Sequence, residues 1–123
     1  MPTRHAFDEV FEVLKAVMAK HASSLVVAVD GPDNYLLNTH FSQRWKKVLM
    51  FGAVQRKKNY VSYHLMPVYM CPELLDDISP ELRKRMQGKS CFNFKVADQA
   101  LFRELAQLTR RGFDRMKQDG HIR

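Results

Sequence analysis

The spacing of apolar residues along the chain predicts one amphipathic helix near each end. From Phe7 onward, apolar side chains recur every three or four residues, which predicts a first helix over about 5–21. A second stripe of this kind predicts a last helix that Asp98 caps. Its residues are Leu101, Leu105, Leu108, Gly112 and Met116, widened by Phe102 and Phe113.

Between these helices, short apolar runs separated by turn residues predict strands. The runs 25–30 and 35–39 flank the turn sequence GPDN, and the runs 48–54 and 60–65 flank the charged loop QRKKN. Each pair is typical of a hairpin. Pro67 is expected to close the fourth strand, because proline cannot donate a hydrogen bond to a sheet.

The second half of the chain predicts a short helix followed by a fifth strand. Ser79, Pro80 and Glu81 have the composition of a helix start, and Gly88 suits the left-handed position that closes a helix. The run 90–94 then alternates, with Cys91 and Asn93 on one face and two phenylalanines on the other.

Together these elements predict an α+β fold with the order α-β-β-β-β-α-β-α. A chain of 123 residues fits a single domain, here residues 1–123. We expect a five-stranded, mainly antiparallel sheet with the N- and C-terminal helices packed on one of its faces.

The net charge of +7 is distributed unevenly along the chain. Residues 1–33 carry a net charge of −2 and the remainder +9, and no acidic residue lies between Asp33 and Glu73. Six basic residues fall in this interval: Arg44, Lys46, Lys47, Arg56, Lys57 and Lys58. An anionic partner, such as RNA or another polyanion bound through segment 44–58, is therefore one hypothesis.

Other features narrow the class of protein. The longest apolar run, Leu25 to Val29, is far shorter than the ~18 residues of a membrane span, so no membrane partner is expected. Acids near the N-terminus argue against a signal peptide, and we expect a cytoplasmic protein. Cys71 and Cys91 form no C-x-x-C pair, and two reduced thiols are expected.

The fourth and fifth strands hold the best candidate for a ligand site. Tyr60, Ser62 and His64 alternate onto one strand face, and Cys91 and Asn93 share a face of the next strand. If these strands pair, the five side chains form a polar patch for an unknown small molecule or protein, edged by Lys89 and Trp45. The same patch also suits a wetted surface or a dimer interface, so monomer and homodimer both remain open.

Two chemical alternatives involve the same strand. His64 and Met66 lie about 6.6 Å apart along a strand, and with Met70 and Cys71 they suggest a soft-metal site for copper(I). Gap-filling methionines are the simpler interpretation.

A nucleophile with His64 as its base is the other alternative, but no catalytic signature accompanies it. We therefore expect no enzyme activity, no catalytic residue and no cofactor.

Three segments carry a resemblance to a known family. YVSYHLMPVY, LRKRMQGKSCFNF and GAVQRKKN resemble the bacterial family called domain of unknown function 1801, or YdhG-like, and the likeness runs from about Phe7 to Met116. The resemblance implies a small α+β domain. Some relatives are described as frataxin-like intracellular iron chaperones, which implies iron binding by acids of the first helix, here Asp8, Glu9 and Glu12. Lys15 on the same helix face opposes such a site.

These observations favour a non-catalytic binding or accessory domain whose ligand surface lies on the fourth and fifth strands. The iron chaperone and the polyanion-binding protein remain as alternative hypotheses.

Overall fold

The computed structural model describes residues 4–122, which form four α-helices and one antiparallel sheet of six strands. The helices are α1 (Arg4–Ala19), α2 (Met66–Met70), α3 (Pro80–Arg83) and α4 (Gln99–Gln118). The strands are β1 (Val26–Asp30), β2 (Asn34–Asn38), β3 (Met50–Arg56), β4 (Val61–Leu65), β5 (Met86–Gln87) and β6 (Cys91–Phe94), in the spatial order β1-β2-β3-β4-β6-β5. Two 3₁₀ turns, Ala22–Ser24 and Pro72–Leu75, complete the chain.

The core lies between one face of the sheet and the two long helices. α1 contributes Val10, Phe11, Leu14 and Met18, and α4 contributes Leu101, Leu105, Leu108 and Met116. From β4, Tyr63 is fully buried, and its hydroxyl lies 2.6 Å from the hydroxyl of Thr109 on α4. Thr109 also donates to the Leu105 carbonyl, so this buried polar pair is satisfied.

The predicted α+β class is confirmed, but the predicted strand number of five is wrong. The additional strand β5 lies inside the segment expected to be helical up to Gly88. Ser79 does cap α3 by accepting from the Leu82 N–H, yet the helix ends at Arg83. The Asn93 N–H donates to the Arg85 carbonyl, so pairing with β6 overrides the helical propensity of this segment.

The helix-closing role predicted for Gly88 is wrong, whereas the fourth strand does end before Pro67. Gly88 has the expected positive φ of 79°, but it closes the turn between β5 and β6 and not a helix. β4 ends at Leu65, and Pro67 then occupies the first turn of α2, where a missing N–H costs nothing. The cap at Asp98 is confirmed, since its carboxylate accepts from the Leu101 N–H.

The edge strand β1 is the most exposed part of the sheet. All five of its residues are exposed, including Val26, Val27 and Val29. A bulge interrupts its pairing with β2 between Val27 and Val29, and Asp30 forms an ion pair with Lys15 of α1.

Gly112 marks the closest approach between α4 and α2. A Cβ atom at this position would lie 2.8 Å from the Cβ of Pro67 and 3.0 Å from its Cγ. The proline ring is rigid and its residue is buried, so the two helices would have to separate to accommodate a methyl group.

We therefore expect Gly112→Ala to lower the free energy of unfolding by about 1–3 kcal/mol, because of overpacking. Helix propensity alone predicts the opposite sign, a gain of about 1 kcal/mol. Urea denaturation measures the difference, with Gln107→Ala at an exposed position of α4 as the control. A stabilised Gly112→Ala variant would show that the helices are not in contact here.

Candidate functional site

The sheet face opposite α1 and α4 carries a cluster of polar side chains, which we call the polar face. It consists of Ser62 and His64 on β4, Cys91 and Asn93 on β6, and Gln87 on β5. In the β4–β6 register, Ser62 stands opposite Asn93 and His64 opposite Cys91. Alternation along β4 produces this arrangement, since Val61, Tyr63 and Leu65 point into the core.

His64 lies at the centre of the polar face. Its Nε2 atom is 3.2 Å from the Ser62 hydroxyl and 3.8 Å from the Cys91 sulfur. When Nε2 carries no proton, it is an acceptor for either group, and the single proton of the Ser62 hydroxyl also has the Gln55 carbonyl as an acceptor at 3.4 Å. The Cys91 sulfur also lies 3.3 Å from the Asn93 Oδ1, and the Asn93 amide donates to the Gln87 Oε1 over 2.7 Å.

The environment keeps this histidine and this cysteine neutral. Burial lowers the pKa of His64, and the nearby charge of Lys57 lowers it further. Burial also raises the pKa of the Cys91 thiol, an effect that Lys57 opposes. A nucleophilic cysteine needs the opposite arrangement, a thiolate beside an imidazolium. Among residues 4–122, the side-chain hydrogen bonds of His64 include no carboxylate to orient its ring.

A basic cavity adjoins the polar face. It has a volume of about 420 Å³, within the range of small-molecule sites. Its lining residues are Tyr60, Lys84, Arg85, Met86, Gln87, Asn93 and Lys95. Asn93 and Gln87 belong to both surfaces, so the cavity and the polar face form one continuous region.

The sequence signal for this cavity was missed. Between Glu81 and Asp98 the chain contains five basic residues and no acidic one. The longer interval between Asp33 and Glu73 also lacks acidic residues. Strands β2 to β6 therefore carry no carboxylate side chain at all. Within residues 4–122, neither Lys84, Arg85 nor Lys95 forms an ion pair.

The turn between β3 and β4 adds positive charge at the same end of β4. The Lys57 N–H donates to the Tyr60 carbonyl, which closes a tight turn around Lys58 and Asn59. Lys57 and Lys58 are exposed, and the charge of Lys57 acts on both His64 and Cys91.

The structure separates some of the residues proposed as one site. Ser62, His64, Cys91 and Asn93 lie together, and Tyr60 shares the cavity with Asn93. Lys89 follows the turn at Gly88 and lines a different groove, beside Val68 and Leu75. Trp45, expected at the edge of the patch, instead donates to the Asp119 carbonyl and stacks on His121 near the end of α4.

The proposed soft-metal ligands are dispersed. Met66 begins α2 and packs against the core, and the Cys71 sulfur lies 3.9 Å from the Asp119 carboxylate. In the described range, no three histidine, cysteine, aspartate or glutamate side chains are grouped closely enough to hold a metal ion.

One of the three acidic residues proposed for iron binding forms an ion pair. Asp8 forms an ion pair with Arg56, whose second partner is Asp33 at 3.8 Å, whereas Glu9 and Glu12 are exposed. The charge of Glu12 acts on Lys15, whose main partner is Asp30.

Comparisons with protein-family models, with curated proteins and with solved structures find no match to this chain. The resemblance to the YdhG-like family therefore remains an interpretation of three segments. Neither α1 nor α4, the two long helices among residues 4–122, is apolar enough to cross a membrane.

The pKa shift of His64 predicts a pH dependence of stability. Its pKa in the folded protein lies below the ordinary value of 6.5, so the unfolded chain binds the proton more readily. The contribution of His64 to the free energy of unfolding is therefore complete above pH 6.5 and decreases as the pH falls through that value. The pKa values of His21 and His121 are also lowered by burial, and these residues act in the same direction.

We expect urea denaturation to give a smaller loss of stability between about pH 7.5 and pH 5 for His64→Gln than for the unsubstituted protein. An NMR titration of the ring protons checks the cause directly, and the midpoint for His64 should lie below 6.5. A midpoint above that value would mean that the imidazolium is stabilised in the folded protein.

Proposed function

We propose that this protein is a non-catalytic binding domain for a small anionic molecule, which it holds in the basic cavity and against the polar face. The observation that carries the proposal is the charge of the cavity: Lys84, Arg85 and Lys95 line it, and no carboxylate lies on strands β2 to β6. Three cations around one concavity repel each other unless an anion lies between them.

The polar groups beside these cations define the kind of ligand further. Tyr60, Gln87 and Asn93 offer a phenol and two amides at the cavity wall, which are suited to hydrogen bonds with a polar ring or a hydroxyl group. A ligand that joins a phosphate or carboxylate to a polar ring or hydroxyl group would contact both the cations and the neutral polar side chains of the cavity. The cavity volume is adequate for a molecule of nucleotide size.

Two further observations support binding over catalysis. The contact of Cys91 with His64 provides a thiol and an imidazole, but burial raises the pKa of the thiol and so disfavours the thiolate that attacks as a nucleophile. In the part of the chain that the structure describes, the hydrogen-bonding neighbours of His64 are a hydroxyl and a thiol, and no carboxylate orients the ring. This environment suits recognition of a ligand by neutral donors and acceptors.

Binding of RNA or another polyanion is the second candidate function. The exposed Lys57 and Lys58 extend the positive charge beyond the cavity along the end of β4. A nucleic acid would use this extension, whereas a small molecule would not reach it. The two candidates therefore differ in their dependence on these lysines and on salt.

The test uses pyrophosphate, citrate and adenosine monophosphate as probes, with binding measured by thermal shift and by amide NMR shifts. We expect at least one probe to raise the melting temperature and to shift the amides of Gln87, Asn93 and Lys95. The double variant Lys84→Gln/Lys95→Gln should bind about tenfold or more weakly, because charge-assisted hydrogen bonds are lost.

The matched control, Lys20→Gln/Lys117→Gln, removes the same charge from the ends of α1 and α4. It should keep the affinity of the unsubstituted protein. Equal weakening in both double variants would contradict the proposal. Binding of oligouridylate alone, lost on Lys57→Gln/Lys58→Gln, would establish the second candidate in its place.

A further inference from the structure

A second groove adjoins β5 and shares Met86 with the lining of the cavity assigned to the anionic ligand. It has a volume of about 620 Å³. One side of the groove is formed by α2 and the following 3₁₀ turn, with Tyr69 at the rim and Val68 and Leu75 at the floor. The opposite wall is formed by β5 and the turn after it, through Met86 and Lys89.

The apolar lining of this groove is accessible to solvent at its rim. Tyr69 is 55% exposed, whereas Pro67 and Val68 of the same short helix are buried. Val68 and Leu75 form the floor as part of the core. An exposed aromatic ring above an apolar floor is typical of a surface that binds a side chain of a partner.

β5 provides an unpaired strand edge along the same groove. It is the last strand in the sheet, next to β6 alone. The Asn93 N–H donates to the Arg85 carbonyl, so the alternation of an antiparallel ladder directs the N–H and C=O of Met86 away from β6. These groups are available to a further strand.

The charge of the groove indicates which strand would bind. Arg83 and Lys89 are the charged residues of its lining, and neither forms an ion pair within residues 4–122. The Arg83 guanidinium donates to the Leu75 carbonyl over 2.6 Å, which fixes this cation at the groove wall. The groove therefore complements carboxylates beside an apolar side chain.

We propose that β5 and this groove bind an extended acidic peptide segment of a partner protein by strand addition. The backbone of the segment pairs with the Met86 N–H and C=O. One apolar side chain enters the space between α2 and β5, and neighbouring carboxylates contact Arg83 and Lys89. This interaction shares Met86 with the cavity of the anionic ligand but uses different cations, so substitution of Lys89 tests it separately.

The probe is a fluorescein-labelled, capped octapeptide of alternating valine and glutamate, and its counterpart has lysine in place of glutamate. We expect the acidic peptide to increase in fluorescence anisotropy on binding, and the basic peptide to show no change. In the unsubstituted protein, binding should slow hydrogen exchange of the Met86 amide, because that N–H gains an acceptor.

Three variants locate the interaction. Lys89→Glu should weaken binding about tenfold or more, since it places a like charge beside the peptide. Met86→Pro should abolish it by removing the N–H, with the circular dichroism spectrum confirming that the variant folds. Lys95→Glu makes the same charge change in the other cavity and should leave peptide binding unchanged.

Three results would overturn strand addition: equal weakening by Lys89→Glu and Lys95→Glu, no protection of the Met86 amide, or equal binding of both peptides. The first would indicate general attraction of an anion to a basic protein. Pyrophosphate or nucleotide binding by Lys89→Glu remains a separate measurement, so failure of the peptide experiment leaves the anion-binding proposal unaffected.

Discussion

Both long helices pack on the same face of the sheet, and the organisation of the molecule follows from this constraint. The pleat of β4 separates Tyr63, which meets Thr109 of α4, from Ser62 and His64 on the opposite face. Side chains on that second face have to satisfy one another or remain open to a ligand. The hydrogen bonds among His64, Ser62, Cys91 and Asn93 are the result.

Local pattern was sufficient to predict the elements whose apolar faces are long. The stripes of α1 and α4 extend over several turns, and the alternation of β4 and β6 places two phenylalanines in the core and Cys91 and Asn93 outside it. β5 could not be predicted in this way. The segment RKRMQGK favours a helix by composition, and only its pairing with a strand formed later in the chain makes it extended.

In the candidate site, too, local alternation predicts some of the neighbours, whereas others depend on packing across the whole sheet. Alternation brings Ser62 together with His64, and Cys91 with Asn93, but the contact between these pairs depends on the register of β4 against β6. That register results from packing across the whole sheet. Lys89 was expected at the edge of the polar patch, yet the positive φ of Gly88 redirects the chain and places Lys89 in the groove beside α2. Lys84, Arg85 and Lys95 were missed because they lie in the second acid-free interval, between Glu81 and Asp98. The prediction of a basic surface considered only the first such interval, between Asp33 and Glu73.

The two edges of the sheet differ: β5 is the edge proposed to accept a further strand, whereas β1 is protected against such pairing. β1 leaves three valines exposed, a surface that in a regular strand would invite pairing with the same strand of another molecule. Its bulge breaks the hydrogen-bonding repeat, and the ion pair of Asp30 with Lys15 ties the end of the strand to α1. Two β1 edges therefore fit poorly against each other, so this hydrophobic hairpin resists fibril-like stacking at high protein concentration despite its composition.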